Sequence, residues 1–410
     1  MAIVKPFKAI RPCRDKAAFV TSRPFGDYGS EELRLQLRDN PLSFLQIINP
    51  GQEPAKGPGA GERYRGVRDR YLEFLDKNIL QRDGEPGFYL YLIEKGDLRS
   101  LGFFCACSVE DYRKGVIKKH EGTLKGREDL FADYLYQVGF NAEPVLMTYC
   151  DNEGIDKIFL AKAKEVPECA FTASDGGIHK LWKITDQGDI ARIEEGFAQV
   201  GSLYIADGHH RSASSNLLAR RMELGNGSHC GQEPYNFFMA YLIPESQIKI
   251  DQYNRMIRDL NGLTKAEFLV ALEKHFRLTP RDGTYSGPKE KHEFGMYLDG
   301  SYHSLYLRAE YGFANALEAL DSQILYQTVL RPILGINDPG NRDRISYLHG
   351  RDNTSRMKEL VDRGEYAVGF CLLPTTMEEI KAIADAGLVM PPKSTYIEPK
   401  PKSGLAIYEL

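Results

Sequence analysis

Residues 202–215 read SLYIADGHHRSASS. An apolar run, Leu203 to Ala206, meets Asp207-Gly208, then two histidines, an arginine and several small hydroxyl residues. The run predicts a strand, and the segment 210–224 predicts a helix that starts near His210 or Arg211. Gly208 permits a tight turn or a close backbone approach by a ligand. A helix start carries unpaired N–H groups and partial positive charge, which suits phosphate. Arg211 adds a bidentate donor for phosphate or carboxylate. Ser212, Ser214 and Ser215 add hydroxyls. His209 and His210 can relay protons or bind phosphate or metal, and Asp207 can hold a divalent cation or orient a histidine. The alternative is structural: Asp207 caps the helix, and the histidines are partly buried polar residues.

The same intermixing of strand and helix runs along the chain. Segments 87–93, 101–108, 144–150, 202–206, 235–243, 303–309 and 366–373 are rich in aromatic and β-branched residues and predict strands. Helical patterns occupy 63–80, 127–138, 190–199, 210–224, 265–276, 315–329 and 376–386. The last begins at Thr375-Thr376 with early glutamates and stops at Gly387, the signature of a capped helix. Strict βαβ alternation is absent, so the expected class is α+β with mixed sheets. Segments 50–62 and 225–234 read as loops.

With 410 residues and about 150 per domain, two or three domains are expected. A break is placed near residue 255, dividing 1–255, which holds the His-Glu and Asp-Gly-His-His-Arg motifs, from 256–410, which holds the Lys-Ser-Thr tail. A net charge of −4 gives no basic field for nucleic acid. Seven cysteines without framework spacing point to reduced thiols, and Cys105 and Cys107 to packing on one strand face. No apolar stretch has the length of a membrane span and the first residues lack a signal-peptide core, so a cytoplasmic protein is expected.

Two further stretches carry chemistry. In VIKKHEGTLKGRED (116–129), His120, Glu121 and Thr123 lie among cations that include Lys125 and Arg127. A zincin pair is absent, because position 124 is Leu. A carboxylate among cations stays ionised, as a general base or magnesium ligand would; a solvated charged loop is the alternative. In MPPKSTYIEPKPKSG (390–404), Lys393, Ser394 and Thr395 are suited to phosphate, against the reading of a wrapping tail. NRDRI (341–345) and DGGIHKLW (175–182) read as a surface turn and a packed strand end.

Together ADGHHR, KKHEGT, NPLSFLQI (40–47), DGGIHKLW, YNRMI (253–257), NRDRIS and the tail resemble one family, DUF1015, from about residue 5 onward. More distantly, Asp207, Gly208, His209, His210 and Arg211 are similar to the phosphate-handling turn of the ParB/sulfiredoxin-like fold, which includes free-serine kinases. That resemblance implies a ParB/sulfiredoxin-like core around the motif. It also implies a magnesium-dependent phosphotransferase or phosphatase acting on serine, phosphoserine or a similar small phosphorylated metabolite, with ADP or ATP as a further ligand. In this scheme Glu121 is the base and Asp207 the magnesium ligand. Arg211, His209, His120 and Lys393 neutralise phosphate. Two other classes stay open: a nucleotide- or phosphometabolite-binding regulator without turnover, and a metal-dependent hydrolase using His209, His210 and Asp207. The expected partner is a small metabolite or nucleotide, with a homodimer left open and neither nucleic acid nor membrane involved.

Overall fold

The computed structural model describes residues 1–49, 60–281, 285, 287–338, 340, 343–349 and 353–410. Asn341, Arg342 and most of the 50–62 loop therefore lie outside the described residues. The chain forms two units. The first comprises Met1–Lys119, Thr123–Ile248 and Pro399–Leu410, and the second His120–Gly122 and Lys249–Glu398.

Among the described residues, the first unit is built on a nine-stranded sheet. Its strands are β1 (Val4–Lys5), β2 (Phe88–Lys95), β3 (Leu98–Ser108), β4 (Ile117–Lys118), β5 (Val145–Tyr149), β6 (Cys169–Thr172), β7 (Ile178–Ile184), β8 (Leu203–Asp207) and β9 (Phe237–Pro244). The order is β4-β8-β5-β9-β3-β2-β7-β6, with β1 on β3. Pairs β4–β8 and β5–β9 are parallel and the others antiparallel, so the sheet is mixed.

Alternation explains why these segments read as continuous apolar runs. Phe88, Leu90 and Leu92 of β2 and Phe103, Cys105 and Cys107 of β3 face one core, which the helices Glu153–Lys162 and Gln187–Gln199 close with Phe159, Ile193 and Phe197. Tyr89, Tyr91, Phe104 and Tyr241, on intervening positions, are buried as well. Both sheet faces are thus covered, and polar alternation has no place to appear. The Cys105 and Cys107 sulfurs lie 3.7 Å apart, and burial pushes the Cys105 thiol pKa far up, so that thiol is inert.

Among the described residues, the second unit holds an antiparallel six-stranded sheet: β10 (Asn254–Ile257), β11 (Phe276–Arg281), β12 (Glu293–Leu298), β13 (Ser301–Leu307), β14 (Ile345–Leu348) and β15 (Val368–Cys371). The order is β11-β13-β12-β15-β10-β14. Phe268 and Leu272 of the helix Lys265–Glu273 pack on its core. The helix Met377–Asp385 has the expected capping box, Thr376 with Glu379, and Gly387 follows it at φ 66°.

The class is α+β with mixed sheets. Some boundaries differ from the sequence reading. The helix expected over 315–329 is confined to Asp321–Leu325 and a π-helical turn, Tyr326–Leu330. The helix expected over 265–276 stops at Glu273, and Phe276 opens β11. Helices Ser30–Asp39 and Asn353–Asp362 were not anticipated; the first has no buried residue. A single cut near residue 255 also misses the return of the tail. Ser403 bridges Ser22, Ile407 bridges Ile10, and Tyr408–Glu409 pairs with Phe140–Asn141, all within the first unit.

Candidate active-site cleft at the Asp-Gly turn

β8 is buried from Leu203 to Ala206 and carries a register shift against β5 between Ile205 and Asp207. The bulge ends regular pairing where the polar residues begin. Gly208 then takes φ 104°, a conformation that side chains rarely tolerate. A Cβ there would lie 2.9 Å from Arg211 Nε, so glycine is also needed for the guanidinium to fold back over the turn. The helix His209–Gly225 starts directly after it. As at any helix start, the amides of His209, His210 and Arg211 have no acceptor within the helix. Asp207 is not the cap, because the N-cap position is Gly208 and no side chain caps it.

Arg211 lines a small, shallow cleft open to solvent, with Asp207, Glu143, Lys400 and Ser403 as the other polar groups. Pro24, Pro144, Leu146 and Pro401 supply apolar walls. Arg211 pairs with Asp207 and, at 3.3 Å, with Glu143. Glu143 is the hub. Its Oε1 accepts from Ser403 Oγ at 3.0 Å and from the Phe25 amide at 3.3 Å. Lys400 stands 3.4 Å from Asp27. Two carboxylates and two cations line the cleft, so its formal charge is zero. Arg211 has five N–H donors, and the two pairings leave donors for a ligand.

The tail is held on its other side. Lys402, between cleft residues 401 and 403, is only 7% exposed and lies 3.6 Å from Asp175. Asp175 also accepts from Lys95 at 2.9 Å and from the Gly177 amide at 3.3 Å. Burial would raise the Asp175 pKa, but these donors and Lys402 outweigh it and hold it down at about 2. Burial lowers the Lys402 pKa, against the attraction of Asp175. Next to them His179 is buried on β7, its Nδ1 2.8 Å from Tyr91 Oη. Burial and then Lys402 push its pKa down to about 4, so it is neutral near pH 7. DGGIHKLW is thus a turn and strand, with Trp182 Nε1 donating to the Glu165 carbonyl at 2.8 Å.

The other expected site residues are distributed as follows. His209 is buried and His210 half-buried on the first turn of the helix. Ser212, expected at phosphate, is instead wholly buried and donates to the His209 carbonyl at 3.0 Å. Ser214 back-bonds to His210 at 2.7 Å in the same way. Helical serines commonly bond back to the preceding turn in this way. Thr123 donates to Glu128, which it braces at the start of the helix Lys125–Val138; Lys125 and Arg127 are exposed on that first turn. His120, buried, and Glu121, half-buried, belong to the second unit, where the Met390 amide donates to the His120 carbonyl at 2.8 Å.

Lys393, at φ 59°, is exposed, with Nζ 5.6 Å over the Tyr253 ring. Ser394 is turned inward, 2.8 Å from Ser322 Oγ, and braces the fold rather than presenting a hydroxyl. Thr395 is half-buried. Arg344 pairs with Asp259, which agrees with the structural reading of NRDRI at its described end.

Sequence reasoning missed Glu143, Lys400, Lys402 and Ser403. The last three lie in PKPKSG, where the alternation of Pro and Lys signals an extended strap with two cations. Glu143 gives no local signal, since its role arises from three distant segments meeting.

No curated protein matches the chain. Similar solved structures include "SbnI with C-terminal truncation from Staphylococcus aureus", at 14% identity, covering 74% of this chain and 85% of that one, with a TM-score of 0.39. A "Free serine kinase in complex with AMP" is similar at 16% identity over 74% of this chain and 91% of that one, TM-score 0.35. A conserved hypothetical protein from Pyrococcus furiosus is similar at 13% identity over 75% and 94%, TM-score 0.34. The profile of DUF1015, "Protein of unknown function", matches residues 4–323, and the chain belongs to that family.

Proposed function

We propose that the protein is a phosphotransferase or phosphatase acting on serine, phosphoserine or a similarly small phosphorylated metabolite. One observation carries the reading: Arg211 and Lys400 come from distant segments and line one small cleft beside a strained glycine turn and a helix start. Cations and an amide-rich turn around an open cleft are suited to a phosphoryl group.

Asp207 offers a hard oxygen ligand on the same cleft, the donor type magnesium takes. Magnesium held there would neutralise phosphate charge. The chain's own residues do the positioning: Arg211 orients the phosphoryl oxygens and Lys400 offsets their charge. Phosphoryl transfer depends mainly on such positioning and neutralisation.

The test incubates full-length protein with phosphoserine, with and without magnesium and ADP, and with serine plus ATP, and follows phosphorus by 31P NMR. Phosphate release or transfer, abolished by Arg211→Ala, supports the reading. Folded protein that turns over nothing in any combination refutes it; saturable binding without product makes the protein a phosphometabolite-binding regulator.

A further inference from the structure

Building on the phosphoryl-ligand reading, we propose that Glu143 makes the cleft selective for ligands that carry an ammonium beside their acidic groups, as phosphorylated amino acids do. The argument is a charge count. A phosphate next to Arg211 also approaches Asp207 and Glu143, which already engage that guanidinium. Two cations are offset by two carboxylates, so the lining carries no net formal charge and an anionic ligand relies on the Arg211 donors that the carboxylates leave. An ammonium on the ligand gives the carboxylates a partner of their own and frees Arg211 for the anion.

Glu143 is better placed for that role than Asp207. It is the carboxylate shared by the helix start, the tail and the Phe25 segment, and its side chain remains 31% exposed. A carboxylate accepts about four hydrogen bonds. Ser403 and the Phe25 amide occupy Oε1 and Arg211 takes one position on Oε2, leaving Oε2 able to accept another donor. Asp207 is more exposed, at 47%, and has only Arg211 among its described partners, so water competes more strongly there.

The experiment compares phosphoserine with 3-phosphoglycerate, in which a hydroxyl replaces the ammonium. Affinities are measured by calorimetry on full-length wild type, Glu143→Gln and Glu143→Asp, with folding checked by Trp182 fluorescence. Wild type is expected to prefer phosphoserine by about tenfold or more, the worth of one charge-assisted hydrogen bond. Glu143→Gln should bring the two affinities together, mainly by weakening phosphoserine, and Glu143→Asp should keep most of the preference. Equal affinities in wild type, or a preference unchanged in Glu143→Gln, overturn the proposal while leaving the phosphoryl-ligand reading standing. If neither compound binds folded wild type, both readings fall.

Discussion

Replacing Asp175 by Asn should cost the first unit more than replacing its partner Lys402 by Met. In Asp175→Asn the Lys402 ammonium stays buried, with its side chain 8% exposed, and loses its carboxylate. Breaking a buried pair from one side costs about 3–5 kcal/mol. The lysine can escape by losing its proton, which at pH 7 costs about 4.6 kcal/mol from an ordinary pKa near 10.4. The two figures agree, so about 3–4 kcal/mol is expected.

In Lys402→Met the remaining Asp175, 28% exposed, keeps Lys95 and the Gly177 amide, so about 1 kcal/mol is expected. The double variant leaves no orphan charge and should be more stable than Asp175→Asn alone. The pH dependence has a definite sign. A lysine whose folded pKa is depressed binds fewer protons folded than unfolded, so stability rises with pH. For Asp175→Asn the rise should reach about 1.4 kcal/mol per pH unit between the folded Lys402 pKa and about 10.4. The assay is urea unfolding at several pH values, followed by Trp182, the single tryptophan, which lies in the first unit. Asp175→Asn costing no more than Lys402→Met, or showing no pH slope beyond wild type, refutes the reasoning. Both variants should also weaken ligand binding, because residues 400, 401 and 403 line the cleft.

Gly208→Ala should cost about 1–2 kcal/mol from its backbone conformation and, by displacing Arg211, weaken phosphoserine binding; unaltered affinity in calorimetry counts against the assigned turn. His179 has its pKa depressed to about 4, so its contribution is intact above pH 6.5 and lost as pH falls towards 4. That amounts to about 3 kcal/mol, and His179→Gln should flatten this part of the stability profile in urea melts. Thr376→Ala removes a capping box and should destabilise the helix Met377–Asp385 by about 1 kcal/mol, read as faster amide hydrogen exchange over its first turn.

The strands were legible because aromatic and β-branched runs such as GFYLYLI and YNFFMAYLI are buried on both faces and announce themselves without alternation. The Asp-Gly junction was legible because only glycine suits φ 104° there, and the helix begins one residue before the expected start. The hydroxyl run was misleading: the residue types fit an anion, but Ser212 and Ser214 answer to carbonyls one turn back. Glu143 was invisible because no local pattern records that Phe25, Arg211 and Ser403 converge on one carboxylate. The tail was half-read: its extended form was visible, but which cations face the cleft depends on Lys402 being drawn under toward Asp175.

The pairing of the last residues with Phe140–Asn141 and Ile10 has a consequence for biosynthesis. Translation delivers residues 1–248 long before residues 399–410, so a nascent chain must hold an unfinished first unit while about 150 intervening residues emerge. A premature stop anywhere past residue 250 would therefore damage the beginning of the protein as well as its end, leaving the site motif translated but its wall and its anchor missing.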